Sequence, residues 1–273
     1  MTATGLDLDA YLARIGYAGP RRASLEVLRD LHRLHAAAIA FENLSPLMDE
    51  AVPLALPALE AKLVGGGRGG YCYEQNSLFW AALRALGFEA EGLAGRVRWG
   101  QPEDAPDRPR SHMALLVHLP EGRFVADVGF GGMTMSGPLA LVAGDAQQTP
   151  HERFRLQAAP GGAYDLQAET ADAWRTLYRF DLTPHLPGDY EALNWFTATH
   201  PTSVFRTGLM AARAAPGRRL ALSNTRFTVR EAGRPPIERT LGSLDALGRV
   251  LIEDFALTLP AGFERIGPKL GLR

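Results

Sequence analysis

Apolar residues recur every three positions from Leu25 through Leu28 and Leu31 to Leu34, which gathers them on one helical face, and Ser24 stands where an N-cap belongs. This spacing predicts an amphipathic helix. A second helical pattern starts at Cys72 and runs through Leu78, Phe79, Ala82, Leu83 and Leu86, with Gly87 as its stop. Pro53, Pro57 and the glycine cluster from Gly65 to Gly70 separate the two. After Gly92 the texture changes to short, often alternating or β-rich runs: Leu93 to Trp99, Met113 to Leu119, Phe124 to Val128, Phe154 to Leu156 and Trp174 to Phe180. The stretch Gln101 to Arg110, rich in proline and charge, reads as a solvated loop. From about Glu191 a mixed tail follows, with strands expected at Leu220 to Leu222 and Arg226 to Arg230 and a helix from Ser243 to about Phe255.

Composition narrows the class. The chain has 273 residues, 46% apolar and 22% charged, the balance of a globular protein with a sizeable core. A formal net charge of -1 gives no global attraction for nucleic acid or an anionic membrane. Cys72 is the one cysteine, so a disulfide within the chain or a cysteine-built zinc site is excluded, and a reducing, cytoplasmic compartment is expected. The first residues lack a basic stretch followed by an apolar core, which argues against secretion.

The sharpest local chemistry is Arg68-Gly69-Gly70-Tyr71-Cys72-Tyr73-Glu74, which sets a thiol at a glycine-rich helix entry. Unpaired backbone N–H groups and the helix dipole favour thiolate over thiol at such a place. A thiolate needs a base, and the base needs a group that fixes its tautomer. His112 opens one apolar strand and Asp127 sits in the next, with Pro120-Glu121-Gly122 as the turn of an antiparallel hairpin. Parity puts both side chains on one face, while a midpoint at Leu119/Pro120 calls for a shifted turn or a bulge to bring them close.

Other motifs carry less. Gly65 to Gly70 fits G-x-G-x-x-G, but Leu59 to Val64 before it reads as helix where a dinucleotide fold needs a strand. His32 and His35 have helical metal-ligand spacing without a second ligand cluster, which makes a solvated helix face the expectation and no metal site. The turn Phe130-Gly131-Gly132 offers N–H groups for a phosphate or is simply tight.

An ordered set of motifs extends these features over nearly the whole chain: Phe41-Glu42-Asn43-Leu44, Arg68 through Asn76, Ser111-His112-Met113, Asp127 through Gly132, and Leu177 to Phe180 followed by Tyr190-Glu191 and Asn194-Trp195. In this the chain resembles the arylamine N-acetyltransferases. The resemblance implies an α+β fold with a cysteine-peptidase-like core: residues 1–90 a helical bundle bearing the nucleophile, 91–192 an antiparallel β-barrel bearing His and Asp, and 193–273 an α/β lid. It implies Cys72, His112 and Asp127 as a catalytic triad that carries acetyl from acetyl-CoA, through an acetyl-cysteine, to an arylamine, arylhydrazine or N-arylhydroxylamine in a ping-pong cycle. Trp99, Ser111, Gly129, Phe130, Gly131 and Phe205 match positions that line the substrate and CoA cleft, and Glu42 with Arg68 matches a structural ion pair. The resemblance further implies a cytoplasmic monomer or homodimer of xenobiotic metabolism, with no metal, nucleic-acid or membrane partner. Three alternatives stay open on sequence: an amide-forming acyltransferase of secondary metabolism, a cysteine hydrolase with the same triad, and a catalytically silent binding module.

Overall fold

The computed structural model describes residues 5–102 and 104–272. Helices α1 (Leu8–Ile15) and α2 (Leu25–Ala38) open the fold, and a side chain caps each: Asp7 accepts from the Ala10 N–H and Ser24 from the Val27 N–H. The short strand β1 (Phe41–Glu42) and helices α3 (Leu44–Leu47) and α4 (Leu56–Leu59) follow. Helix α4 runs on into a π-helical stretch, Glu60–Gly65, so the glycine cluster is entered from a helix, which excludes the dinucleotide motif. Helix α5 (Cys72–Ala85) begins on the thiol itself.

Eight strands then form one antiparallel sheet: β2 (Glu89–Val97), β3 (His112–Leu119), β4 (Gly122–Ala126), β5 (Leu139–Ala140), β6 (Gln147–Gln148), β7 (Arg153–Ala159), β8 (Ala163–Glu169) and β9 (Trp174–Phe180). Their spatial order is β5-β4-β3-β2-β9-β8-β7-β6, and a bridge from Ala143, just past β5, to Leu156 in β7 curls the sheet into a barrel. Beyond it lie α6 (Pro187–Thr199), α7 (Val204–Thr207), strands β10 (Met210–Ala215), β11 (Arg218–Ser223), β12 (Arg226–Glu231) and β13 (Ile237–Thr240), and helices α8 (Leu244–Glu253) and α9 (Gly267–Leu270). A second sheet has the order β1-β10-β11-β12-β13, so Phe41 and Glu42 stitch the N-terminal helices to the C-terminal strands.

Strand β3 reads as an unbroken apolar run because both of its faces are buried. Met113, Leu115 and Val117 pack on α2 and α5 beside Leu28, Leu31, Phe79 and Leu83. Ala114 and Leu116 face the barrel interior with Leu93, Val125, Leu166 and Tyr178. Each fully buried leucine contributes roughly 1.5–3 kcal/mol. One strand thereby joins two cores, which fixes the barrel against the helix that carries Cys72. A third core lies under the second sheet, where Leu247 and Leu251 of α8 meet Leu220, Leu222 and Phe227.

The sequence placed α2, α5, β9, β11, β12 and α8 well. Strand β2 lies earlier than Leu93 to Trp99, leaving Trp99 beyond its end, and β4 stops at Ala126, so Asp127 is the first residue after the strand. Helix α6 carries no readable apolar stripe, since its buried residues are Tyr190, Asn194, Thr197 and Ala198. Strand β8 buries only Leu166 and Ala168 and was equally silent.

Candidate active site

Close backbone approach at two glycines seats the thiol. A Cβ on Gly69 would strike the Ala40 carbonyl oxygen, and one on Gly129 would stand 2.8 Å from the Cys72 Cα. Without side chains there, the chain before α5 packs on Ala40 and the loop after β4 comes down on the first residue of α5. The Tyr71 N–H is satisfied by Glu74 Oε2 at 3.0 Å.

His112 and Asp127 meet without a bulge. In the β3–β4 hairpin Leu119 pairs with Gly122 and Leu115 with Ala126, so Pro120 and Glu121 alone make the turn. Continued in this register, His112 lies opposite Gly129, and Asp127 is its diagonal neighbour on the same face. The diagonal distance in a sheet is within reach of long side chains. His112 Nε2 donates to Asp127 Oδ2 at 2.7 Å. That leaves Nδ1 as the ring nitrogen free to interact with Cys72, whose side chain helps raise the imidazole. The Cys72 Sγ also lies 3.8 Å from the Ser111 carbonyl oxygen.

The electrostatics follow from this chain of contacts. Burial alone would push His112 down, but Asp127 and then Cys72 reverse it and raise the imidazole to about 10. Burial would push Asp127 up; His112 first, then Asn76 and the Gly129 N–H, hold it below the usual carboxylate range. Asn76 stands one helical turn after Cys72 and donates to Asp127 Oδ1 at 2.9 Å and to the Met113 carbonyl at 2.7 Å, while it accepts from the Val128 N–H at 3.0 Å. The His112 ring is walled by Tyr178, with centroids 4.5 Å apart, and by Phe130 edge-on at 5.2 Å.

The expectation of a solvated face for His32 and His35 fails, because both are fully buried. His32 Nε2 accepts the Asp127 backbone N–H at 3.1 Å, which requires a neutral ring, and burial lowers the imidazole to about 4. Its Nδ1 has no partner among the described residues. Gln75 Nε2 donates to the Ala40 carbonyl, so its Oε1 accepts from His35 Nε2 at 2.7 Å, and His35 Nδ1 accepts from the Tyr11 hydroxyl at 2.8 Å. Burial lowers His35 to about 3. Among the described residues, no three His, Cys, Asp or Glu side chains gather as a metal ion would need.

Above the thiol opens a cleft of about 460 Å³ that Trp99, Ser111, Gly129, Phe130, Gly131 and Phe205 all line together with Cys72 and His112. The Gly129 N–H is spent on Asp127 and the Gly131 N–H on Thr134, so neither of these two donors is free for a phosphate. The Phe41 to Leu44 motif acquires a division of labour. Phe41 lines the cleft, and Glu42 takes Arg68 Nη2 at 2.8 Å. Asn43 donates to the Phe205 and Gly208 carbonyls and accepts from the Met210 N–H, tying down the segment that carries Phe205. Burial would raise Glu42, but Lys62 and Arg68 hold it low.

A family model described as N-acetyltransferase matches residues 24–263. The chain is 41% identical to the arylamine N-acetyltransferase of Escherichia coli K12 over 92% of its own length and 88% of that protein. It is 42% identical to the arylamine N-acetyltransferase of Mycolicibacterium smegmatis over 84% of each. The chain belongs to the arylamine N-acetyltransferase family. The solved structure of the Mycobacterium marinum arylamine N-acetyltransferase in complex with CoA superposes with a TM-score of 0.92 at 41% identity, covering 97% of this chain and 98% of that one. The α+β architecture of helical bundle, barrel and second sheet is thus that of the family. Among the described residues, no helix is long and apolar enough to cross a membrane.

Sequence reasoning missed His32, Asn43 and Asn76 as parts of this site. Asn76 had a readable signal in its spacing of four from Cys72. His32 had none, because its partner lies 95 positions away.

Proposed function

We propose that the protein transfers the acetyl group of acetyl-CoA to the nitrogen of an arylamine, arylhydrazine or N-arylhydroxylamine, with Cys72, His112 and Asp127 as the triad. The observation that carries this reading is the buried relay from Asp127 through His112 to Cys72, at the floor of a mainly apolar cleft. The Cys72 thiolate attacks the thioester carbonyl, and the Cys72 backbone N–H at the helix start stands ready for the oxyanion. The carbon–sulfur bond to CoA breaks as His112 gives its proton to the leaving CoA sulfur. Acetylation removes the negative partner that helps raise His112, so its proton affinity falls once the acetyl-cysteine has formed. The neutral imidazole then takes a proton from the incoming nitrogen as that nitrogen attacks, and the thiolate leaves to restore the resting pair. Asp127 fixes the ring tautomer and supports the imidazolium throughout.

Trp99, Ser111, Gly129, Phe130, Gly131 and Phe205 would form the walls for both substrates, which take turns in the one cleft. The family membership and the CoA complex of the Mycobacterium marinum relative support acetyl-CoA as co-substrate. Incubation with acetyl-CoA followed by intact mass analysis tests the reading. One acetyl group should appear on Cys72 with release of one CoA, and an arylhydrazine should discharge it. Rapid CoA release without an acceptor would make the protein a hydrolase, and the absence of any adduct would remove the transferase reading. Cys72→Ser should lose turnover and keep its thermal transition.

A further inference from the structure

We infer that Arg108 makes the mouth of the cleft a binding point for an anionic oxygen group of a substrate, either a CoA phosphate or a carboxylate on the aromatic acceptor. The inference rests on the acetyl-transfer reading and adds a substrate class to it. Arg108 is the one arginine or lysine that lines the cleft among the described residues, and no Asp or Glu lines it. Two charges of the surrounding loop pair off: Asp107 Oδ1 meets Arg98 Nη1 at 2.8 Å and Arg110 Nη2 meets Asp181 Oδ2 at 2.5 Å. The guanidinium of Arg108 is exposed and takes no carboxylate among the described residues.

Its backbone is nevertheless held. Arg96 Nη1 donates to the Arg108 carbonyl at 2.6 Å, which brings up a second guanidinium that also has no carboxylate partner among the described residues. Between Arg108 and the Cys72–His112 floor the walls are Val97, Phe130, Phe205 and Met210, so the unpaired positive charge lining the cleft sits at its mouth with Arg108. A guanidinium matches carboxylate and phosphate with two parallel hydrogen bonds. Trp99, 45% exposed on the same rim, offers a flat face beside it for an aromatic ring.

The test crosses two donors with two acceptors on the intact protein, Arg108→Gln and Arg108→Glu. The donors are acetyl-CoA and the phosphate-free S-acetyl-N-acetylcysteamine; the acceptors are 4-aminobenzoate and its neutral counterpart 4-aminobenzamide. The preference for the charged partner, as a ratio of kcat/KM, should fall about two- to fivefold in Arg108→Gln and further in Arg108→Glu. A fall confined to the donor pair assigns the phosphate, and one confined to the acceptor pair assigns the carboxylate. Ratios that stay constant across all combinations overturn the inference. If the parent protein turns over none of these pairs, the transferase reading is judged by the acetyl-cysteine mass test, and Arg108 by binding alone. Calorimetric titration with CoA and with 4-aminobenzoate then decides the role of Arg108: weaker binding of either by Arg108→Gln supports it, and equal or absent binding refutes it.

Discussion

Two regions of this protein bury histidine, with opposite outcomes. At the end of the β3–β4 hairpin His112 is surrounded by protein and raised to about 10; on α2 His32 and His35 are equally buried and lowered to about 4 and about 3. Desolvation acts on all three in the same direction. The difference lies in the partner. His112 meets a carboxylate side chain, whereas His32 meets the backbone N–H of that same aspartate and His35 meets a tyrosine hydroxyl and a glutamine carbonyl. Asp127 thus sits between a charged imidazole that it polarises and a neutral one that holds its backbone. Burial alone therefore does not decide whether a histidine serves as a proton carrier or as a strut.

The largest break in this contrast should come from Asp127→Asn, which keeps the shape and removes the charge. We expect kcat/KM to fall by roughly 10³–10⁴, and the His112 titration followed by NMR to drop well below about 10. A titration that stays in place would assign the raised value to something other than the carboxylate. The pairing with sulfur is read separately by His112→Ala, in which alkylation of Cys72 by iodoacetamide at neutral pH should slow by at least about tenfold. An unaltered alkylation rate would mean that the imidazole does not support the thiolate.

Changes on α2 should be smaller. His32→Phe leaves the Asp127 N–H without an acceptor, at a cost of about 1–3 kcal/mol in chemical denaturation. A moderate loss of kcat/KM with a displaced pH profile should accompany it, and His32→Gln, which can still accept, should recover most of both. Equal behaviour of Phe and Gln would reduce His32 to packing.

The gentlest effects are those of pH on stability, at most ~1.4 kcal/mol per titrating group per pH unit. The folded values of His32 and His35 lie below the unfolded value of 6.5, so the unfolded chain binds more protons and stability is lost as pH falls from there through about 4 and about 3. The folded value of His112 lies above 6.5, so its contribution is complete below that pH and is lost as pH rises through about 10. Denaturation curves should show both limbs. His32→Phe should flatten the acid limb alone, whereas Asp127→Asn should flatten the alkaline limb and also the part of the acid limb that comes from its own lowered carboxyl; an alkaline limb that His32→Phe flattened as well would merge the two regions.

How much of this was legible beforehand depended on the distance over which each signal acts. The helix start at Cys72 was readable because glycines, thiol and apolar stripe fall within one window. The shared face of His112 and Asp127 followed from parity, although the two-residue turn that makes a bulge unnecessary showed only in the pairing of Leu119 with Gly122. The six cleft residues were assembled by resemblance, since Trp99 and Phe205 have no local mark that sets them apart from core aromatics. Arg108 was hidden in a loop whose composition announced solvent and nothing more.

Periodicity, caps and turn residues are properties of neighbours along the chain, and they were enough to lay out the thiol's helix and the His–Asp hairpin from which the proposed triad is built. The charge states of the histidines, the clamp of Asn43 on the segment bearing Phe205, and the lone cation of the described rim depend on which groups meet after distant segments pack. His32 and the Asp127 amide, 95 positions apart, become hydrogen-bonded only because α2 and the β4 corner enclose the same core. Electrostatic environment is set by proximity in space, and proximity in space is what folding creates.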